Sequence, residues 1–166
     1  MRIVVKGASG SGKTTLARQV AARLGAPHVE LDGLFHGPAW SEPTLEFFRA
    51  RVAGATRGES WVADGNYDSR LEALVVGRAD VVVWLDPPLR TIVARLARRT
   101  ARRIVRREEL WAGNRESLRG AFALFDWMLR SRRKQAREFP ALPRLVRLRS
   151  PREVEAWLSS LGGAPP

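Results

Sequence analysis

The segment Gly7-Ala8-Ser9-Gly10-Ser11-Gly12-Lys13-Thr14 constrains this chain more than any other, because Gly7, Gly12, Lys13 and Thr14 fall at the spacing Gly-x-x-x-x-Gly-Lys-Thr. Glycines let successive backbone N–H groups turn inward on an anion, and a helix that follows such a turn adds the positive end of its dipole. The flanks suit that geometry. Arg2-Ile3-Val4-Val5-Lys6 is a short β-branched run, and Leu16, Val20 and Leu24 recur at helical spacing until Gly25 stops them. Strand, loop and helix follow one another, so Gly7, Ala8, Ser9, Gly10, Ser11, Gly12, Lys13, Thr14 and Thr15 are expected to cradle the phosphates of a nucleoside triphosphate. Lys13 is placed to reach the β- and γ-phosphates and the Thr14 hydroxyl to bind magnesium.

Further along, His28 to Leu31, Trp61 to Ala63, Ala79 to Leu85 and Leu145 to Leu148 read as strands. The run ending at Leu85 is almost continuously apolar, as expected of a parallel strand buried on both faces. Helices are expected over residues 43–56, with Pro43 in the first turn, from Pro87-Pro88 to about Arg107, over residues 115–137, and from a Ser150-Pro151-Arg152-Glu153 cap to Leu161. Residues 162–166 are expected to fray. Strands alternating with helices imply an α/β fold with a parallel sheet, right-handed crossovers and helices on both faces. At 166 residues the expectation is one domain, with a core over about 1–90 and 140–162 and a helical segment over about 91–137.

Composition excludes several chemistries. The chain has no cysteine, which removes disulfides, thiolate metal sites and cysteine nucleophiles, and it has no apolar run long enough to span a membrane. A cytoplasmic location is the expectation. The formal net charge of +12 is concentrated: from Arg90 to Arg137 there are fifteen basic residues against four acidic ones. Such a block needs anions nearby, whether nucleotide phosphates, a phosphorylated substrate or a nucleic-acid backbone. The opposing reading is a solvated helix face.

A magnesium ion at the cradle also needs a carboxylate at the end of a neighbouring strand. Two positions compete. Val81-Val82-Val83-Trp84-Leu85-Asp86 has the more usual pattern of an apolar strand followed by aspartate, and Trp61-Val62-Ala63-Asp64 is the other. Asp32 is a third carboxylate, at the end of the second strand, at the edge where open α/β sheets place ligands.

With these segments in place, the chain resembles the adenylate-kinase-like branch of P-loop kinases. It is most similar to small bacterial proteins described as topology modulation or adenylate-kinase-related. The resemblance rests on the cradle, Leu31-Asp32-Gly33-Leu34-Phe35 with Trp40, Trp61-Val62-Ala63-Asp64-Gly65-Asn66-Tyr67, Leu110-Trp111-Ala112-Gly113-Asn114-Arg115-Glu116, and Val146-Arg147-Leu148-Arg149-Ser150-Pro151. Adenylate kinases follow the Asp-Gly pair with Phe-Pro-Arg, whereas this chain has Asn66-Tyr67-Asp68 and brings Arg70 later. The resemblance implies a three-layer P-loop NTPase fold with five parallel strands in the order 2-3-1-4-5, ATP and magnesium as cofactors, and Asp64 rather than Asp86 on the magnesium side. It also implies a short arginine-rich helical lid in which Arg95 and Arg99, one turn apart, close on the phosphates.

The adenylate-kinase AMP-binding residues do not map onto this sequence, so the acceptor is an unidentified small molecule. Residues 32–40 and the Asn66-Tyr67 pair are expected to line its pocket, with His36 and Trp40 able to stack on a ring. For an alcohol acceptor Asp32 is the natural general base; a phosphate acceptor needs none. Trp111, Phe122, Phe125, Trp127 and Leu129 are expected to include helix-packing positions. The function that follows is an ATP- and magnesium-dependent phosphotransferase, a nucleotide or small-metabolite kinase of unknown acceptor, with Lys13, Asp32, Arg95 and Arg99 catalytic. The alternative is a nucleotide-dependent nucleic-acid-binding protein using residues 130–134.

Overall fold

The computed structural model describes residues 1–71 and 74–161; the expected fraying of residues 162–166 lies outside them. Five parallel strands, β1 (Arg2–Gly7), β2 (His28–Glu30), β3 (Trp61–Asp64), β4 (Val81–Leu85) and β5 (Leu145–Leu148), form one sheet in the order β2-β3-β1-β4-β5. The helices are α1 (Lys13–Leu24), α2 (Leu31–Phe35), α3 (Leu45–Ala55), α4 (Asp68–Leu71), α5 (Leu89–Arg106), α6 (Leu118–Glu138) and α7 (Pro151–Ser160). The expected α/β architecture and strand order are both present.

Side-chain alternation on β1 builds the layers. Ile3 and Val5 face α1 and α7 with Leu16, Val20, Val83 and Leu158, whereas Val4 faces the opposite cluster of Phe35, Phe48, Val52 and Trp61. Each buried aliphatic side chain of this kind contributes about 1.5–3 kcal/mol relative to exposure. A smaller cluster of Ala8, Ile92, Leu96 and Met128 packs α5 and α6 against the loop after β1. The central strand therefore delivers its carboxyl end to one edge of the molecule, between β3 and β4, with the arginine-bearing helix beside it.

Several boundaries differ from expectation for local reasons. The Thr44 hydroxyl accepts the Phe47 N–H and caps α3, which leaves Pro43 outside the helix. Ser117 likewise accepts the Gly120 N–H, so α6 begins at Leu118 and residues 111–113 form a separate 3-10 turn. Asp32 does not end a strand but lies in the first turn of α2, because Leu31 turns into the core. Leu124 and Phe125 pack against the small third cluster, whereas Phe122 (79% exposed) and Leu129 (42%) face outward and Trp127 (49%) borders the cavity described below. At α7 the Ser150 hydroxyl accepts the Glu153 N–H, as the cap motif predicts, whereas the Glu153 carboxylate accepts the N–H of Arg149, one residue before the cap, rather than that of Ser150. No helix among the described residues is long and apolar enough to cross a membrane.

Candidate active site

The loop from Gly7 to Gly12 can close only with glycine at its tightest points. Gly7 has φ 147° and a Cβ there would sit 2.6 Å from the Leu85 carbonyl oxygen; Gly10 has φ 87° and its Cβ would sit 2.7 Å from the Ile92 carbonyl. The turn is held internally by the Ser11 N–H on the Ala8 carbonyl at 3.0 Å. From outside, Arg95 Nη1 donates to the Ser11 carbonyl at 3.1 Å. Asn66 fixes the start of the loop: its Oδ1 accepts the Gly7 N–H at 3.3 Å and its Nδ2 donates to the Gly7 carbonyl at 2.7 Å.

Of the two competing strand-end carboxylates, Asp64 meets the loop. Thr14 Oγ1 donates to Asp64 Oδ2 at 2.7 Å, and His28 Nε2 lies 2.8 Å from Asp64 Oδ1. The Asp64 side chain is 2% exposed. Asp86 is engaged elsewhere, accepting from Arg147 Nε at 3.1 Å and from Arg132 Nη2 at 3.3 Å. A hydroxyl beside a buried carboxylate is a hard, all-oxygen donor pair. It suits magnesium, which is commonly held by one or two protein oxygens together with phosphate oxygens and water. Among the described residues no group of three or more His, Cys, Asp or Glu is arranged to hold a metal by itself.

Lys13 lies within the fields of Asp32 and Asp64. Burial pushes its ammonium below the ordinary lysine value; the charges of Asp32 and Asp64 oppose that shift, and Arg99 adds to it. Asp32 is oriented by Tyr67, whose hydroxyl donates to Asp32 Oδ1 at 2.8 Å. Burial, then the charge of Asp32 and that hydrogen bond, raise the Tyr67 phenol well above its usual value, so it stays a donor. Arg99 projects from α5 toward the same space. Its Nε is buried without a hydrogen-bond partner, and the guanidinium makes no ion pair among the described residues. Burial lowers its pKa, the neighbouring Arg103 lowers it further, and Glu116 and Asp32 oppose the shift. Arg103 itself is neutralised by Glu116 at 2.7 Å.

These groups line one cavity of about 920 Å³, which takes in Lys13, Thr14, Asp32, Asn66, Arg95 and Arg99. Of the sequence-derived residues, Ser9, Gly10, Gly12, Lys13, Thr14, Thr15, Asp32, Arg95 and Arg99 are brought together here, whereas Gly7, Ala8 and Ser11 belong to the loop without lining the cavity and Asp64 is reached through Thr14. Three contributors escaped the sequence reading: His28 on Asp64, the Asn66 grip on Gly7, and Arg103 with Glu116. The first has no local sequence signal: only the folded sheet, where β2 pairs with β3, aligns His28 with Val62, two residues before Asp64.

No family model matches the chain. It is 34% identical over 112 residues to a cytidylate kinase of Pyrococcus furiosus, covering 58% of this chain and 56% of that protein. It is 35% identical over 109 residues to a shikimate kinase of Symbiobacterium thermophilum, covering 57% and 63%. The chain therefore spans less than two thirds of the length of these curated relatives. Among solved structures, a shikimate kinase from Bacteroides thetaiotaomicron superposes with a TM-score of 0.56 at 21% identity over 97% of this chain and 95% of that one. A gluconokinase from Sinorhizobium meliloti does so with a TM-score of 0.56 at 21% identity, over 97% and 93%. The fold is that of the P-loop kinases.

Proposed function

We propose that the chain is an ATP- and magnesium-dependent phosphotransferase whose acceptor is a hydroxyl group of a small molecule. The observation that carries this reading is Asp32, held by Tyr67 in the same cavity as Lys13 and the phosphate loop. The relatives named above are kinases of a nucleotide and of shikimate, and the carboxylate argues between a phosphate and a hydroxyl acceptor. A phosphate brought to Asp32 would meet like charge, whereas a hydroxyl donates its hydrogen bond to the oxygen that Tyr67 leaves free.

In this reading the loop N–H groups and Lys13 hold the β- and γ-phosphates, and Thr14 and Asp64 hold magnesium, which neutralises phosphate charge when bound. Asp32 accepts the proton of the acceptor hydroxyl as its oxygen bonds to the γ-phosphorus. The bond from that phosphorus to the β–γ bridging oxygen breaks, and the products are ADP, a phosphate monoester and a proton passed on to solvent. Arg99, unpaired in the absence of ligand, meets the transferring phosphoryl group, and Arg95 keeps the loop in shape through Ser11. The narrower likeness to topology modulation proteins rests on sequence segments alone. The nucleic-acid alternative gains no support from the basic segment: Arg132 turns inward to Asp86, and Arg130 and Lys134 pair along α6 with Asp126 and Glu138.

Labelled ATP with magnesium and a panel of hydroxylated and phosphorylated metabolites tests the proposal. A phosphorylated product is expected, lost in Lys13→Ala and strongly reduced in Asp32→Asn and Asp64→Ala. Phosphate release without any acceptor product across the panel overturns it.

A further inference from the structure

One end of the cavity is lined by aromatic rings. His36 stacks on Trp111 with ring centroids 5.6 Å apart and planes 27° apart, and Trp40 meets His36 edge-on at 5.2 Å. All three rings line the cavity, and Trp40 is still 41% exposed. This cluster adjoins the acceptor carboxylate: a Cβ at Gly33 would lie 2.9 Å from Trp111 Cδ1, so the indole edge rests on the backbone of the residue after Asp32.

The cluster is also held in place at a cost. Ala39, Trp40 and Ala112 have φ of 53°, 59° and 54°, a left-handed conformation that disfavours residues with a Cβ and persists where surrounding contacts enforce it. The enforcing contacts converge on one buried side chain. Asn114 Oδ1 accepts the Trp40 N–H at 3.0 Å, and its Nδ2 donates to the Gly37 carbonyl at 2.8 Å and to the Trp111 carbonyl at 2.9 Å. Two segments more than seventy residues apart are thereby joined into one aromatic wall.

We infer that this wall is a preorganised acceptor subsite for a ring: the acceptor is a ring-bearing alcohol whose hydroxyl reaches Asp32 while a ring face lies against Trp40 and Trp111. The inference rests on the phosphotransferase reading and adds the substrate class to it. A nucleobase would stack through its π face and a saturated sugar ring through its C–H face, so the shared chemistry is a ring face on an indole. The Asn114 tie makes the wall rigid before binding, which spares the acceptor the ordering cost of two loops.

Tryptophan fluorescence titration separates this from turnover. With a non-hydrolysable ATP analogue and magnesium present, the probes are cytidine and adenosine, glucose and inositol, and acyclic glycerol and xylitol. A ring compound is expected to bind and change the emission, and the acyclic pair is not. Nucleosides alone binding identifies a base as the ring, and glucose or inositol binding identifies a saturated ring. Trp40→Leu, at an exposed position, is expected to weaken ring binding about tenfold or more, the scale of one lost stacking contact. It should raise acceptor KM with kcat and the KM for ATP within about twofold, at unchanged melting temperature. No binding by any ring compound, equal turnover of an acyclic alcohol, or ring affinity indifferent to Trp40→Leu with Trp111→Leu overturns the inference. Of these, equal turnover of an acyclic alcohol leaves the phosphotransferase reading intact, and that reading fails only if no acceptor product forms.

Discussion

Asn66 grips Gly7 by both of its backbone polar atoms, accepting the Gly7 N–H and donating to the Gly7 carbonyl. The residue that ends the central strand and opens the phosphate loop is therefore fixed by a side chain from the neighbouring strand's exit. Replacing Asn66 with alanine removes both bonds and is expected to cost about 1–2 kcal/mol in urea unfolding. Asn66→Asp is expected to weaken nucleotide binding further than alanine does, although it keeps one acceptor. Its carboxylate would face the Gly7 carbonyl and add negative charge beside the site meant for phosphates. Calorimetric titration with the ATP analogue checks the order of the two variants.

Arg99 carries the clearest conflict between stability and function. A partly buried guanidinium without an ion pair raises the free energy of the unliganded fold, as its lowered pKa records. Arg99→Met keeps much of the side-chain packing and removes the charge. The unliganded variant is expected to melt higher, with each 1 kcal/mol gained worth roughly 2–4 °C for a chain of this size. Phosphoryl transfer is expected to fall by about tenfold or more in kcat, in line with losing a charged contact to the transferring group. A variant that melts lower with unchanged kcat would place Arg99 in the scaffold instead.

Asp80 contributes to stability on the acid side. The Arg2 guanidinium and then the Arg2 backbone N–H hold the Asp80 carboxyl below its ordinary value of 3.8. A carboxyl lowered by folding contributes stability that is complete above 3.8 and is lost as pH falls through the folded value. Glu153, lowered by the Arg149 N–H and the Ser150 hydroxyl, acts with the same sign. Asp80→Asn is expected to flatten the acid side of the stability profile between pH 5 and the lowered value by roughly one group's contribution, with little change in slope above pH 5. Because Arg2 and Asp80 are both more than one third exposed, raising salt is expected to shrink the difference.

Most of the frame was legible because apolar runs and a glycine spacing report local requirements. The apolar run from Val81 to Leu85 forms the buried strand its pattern implies, and the Gly7 and Gly10 positions admit no Cβ. What the sequence left open depends on which side of the central strand a residue falls. Asp64 ends β3 and Asp86 follows β4, strands that flank β1 on opposite sides, so pattern alone favours the more apolar β4. The Asn114 tie to Trp40 and the choice of His28 for Asp64 join segments whose pairing no local signal encodes. The exposed Phe122 escaped for the reverse reason: helical spacing shows which residues share a face, not whether anything covers it.

The two strand-end aspartates give opposite outcomes on neutralisation. Asp86 is 8% exposed in its side chain and holds Arg147 and Arg132, and the Arg147 guanidinium lies 4.2 Å from the Trp84 ring centroid. Asp86→Asn leaves two cations without their counter-charge. The loss of a fully buried pair costs about 3–5 kcal/mol, and the partial exposure of both arginines reduces the expected cost to about 1–3 kcal/mol. The folded fraction of Asp86→Asn is expected to transfer phosphate at the parental kcat with parental magnesium dependence, because neither Thr14 nor Lys13 touches it. Asp64→Asn keeps a group able to accept from Thr14, so its melting temperature is expected to change less, while the magnesium concentration for half-maximal nucleotide binding rises about tenfold or more. Reversed effects of the two variants on magnesium dependence would return the metal-side role to Asp86.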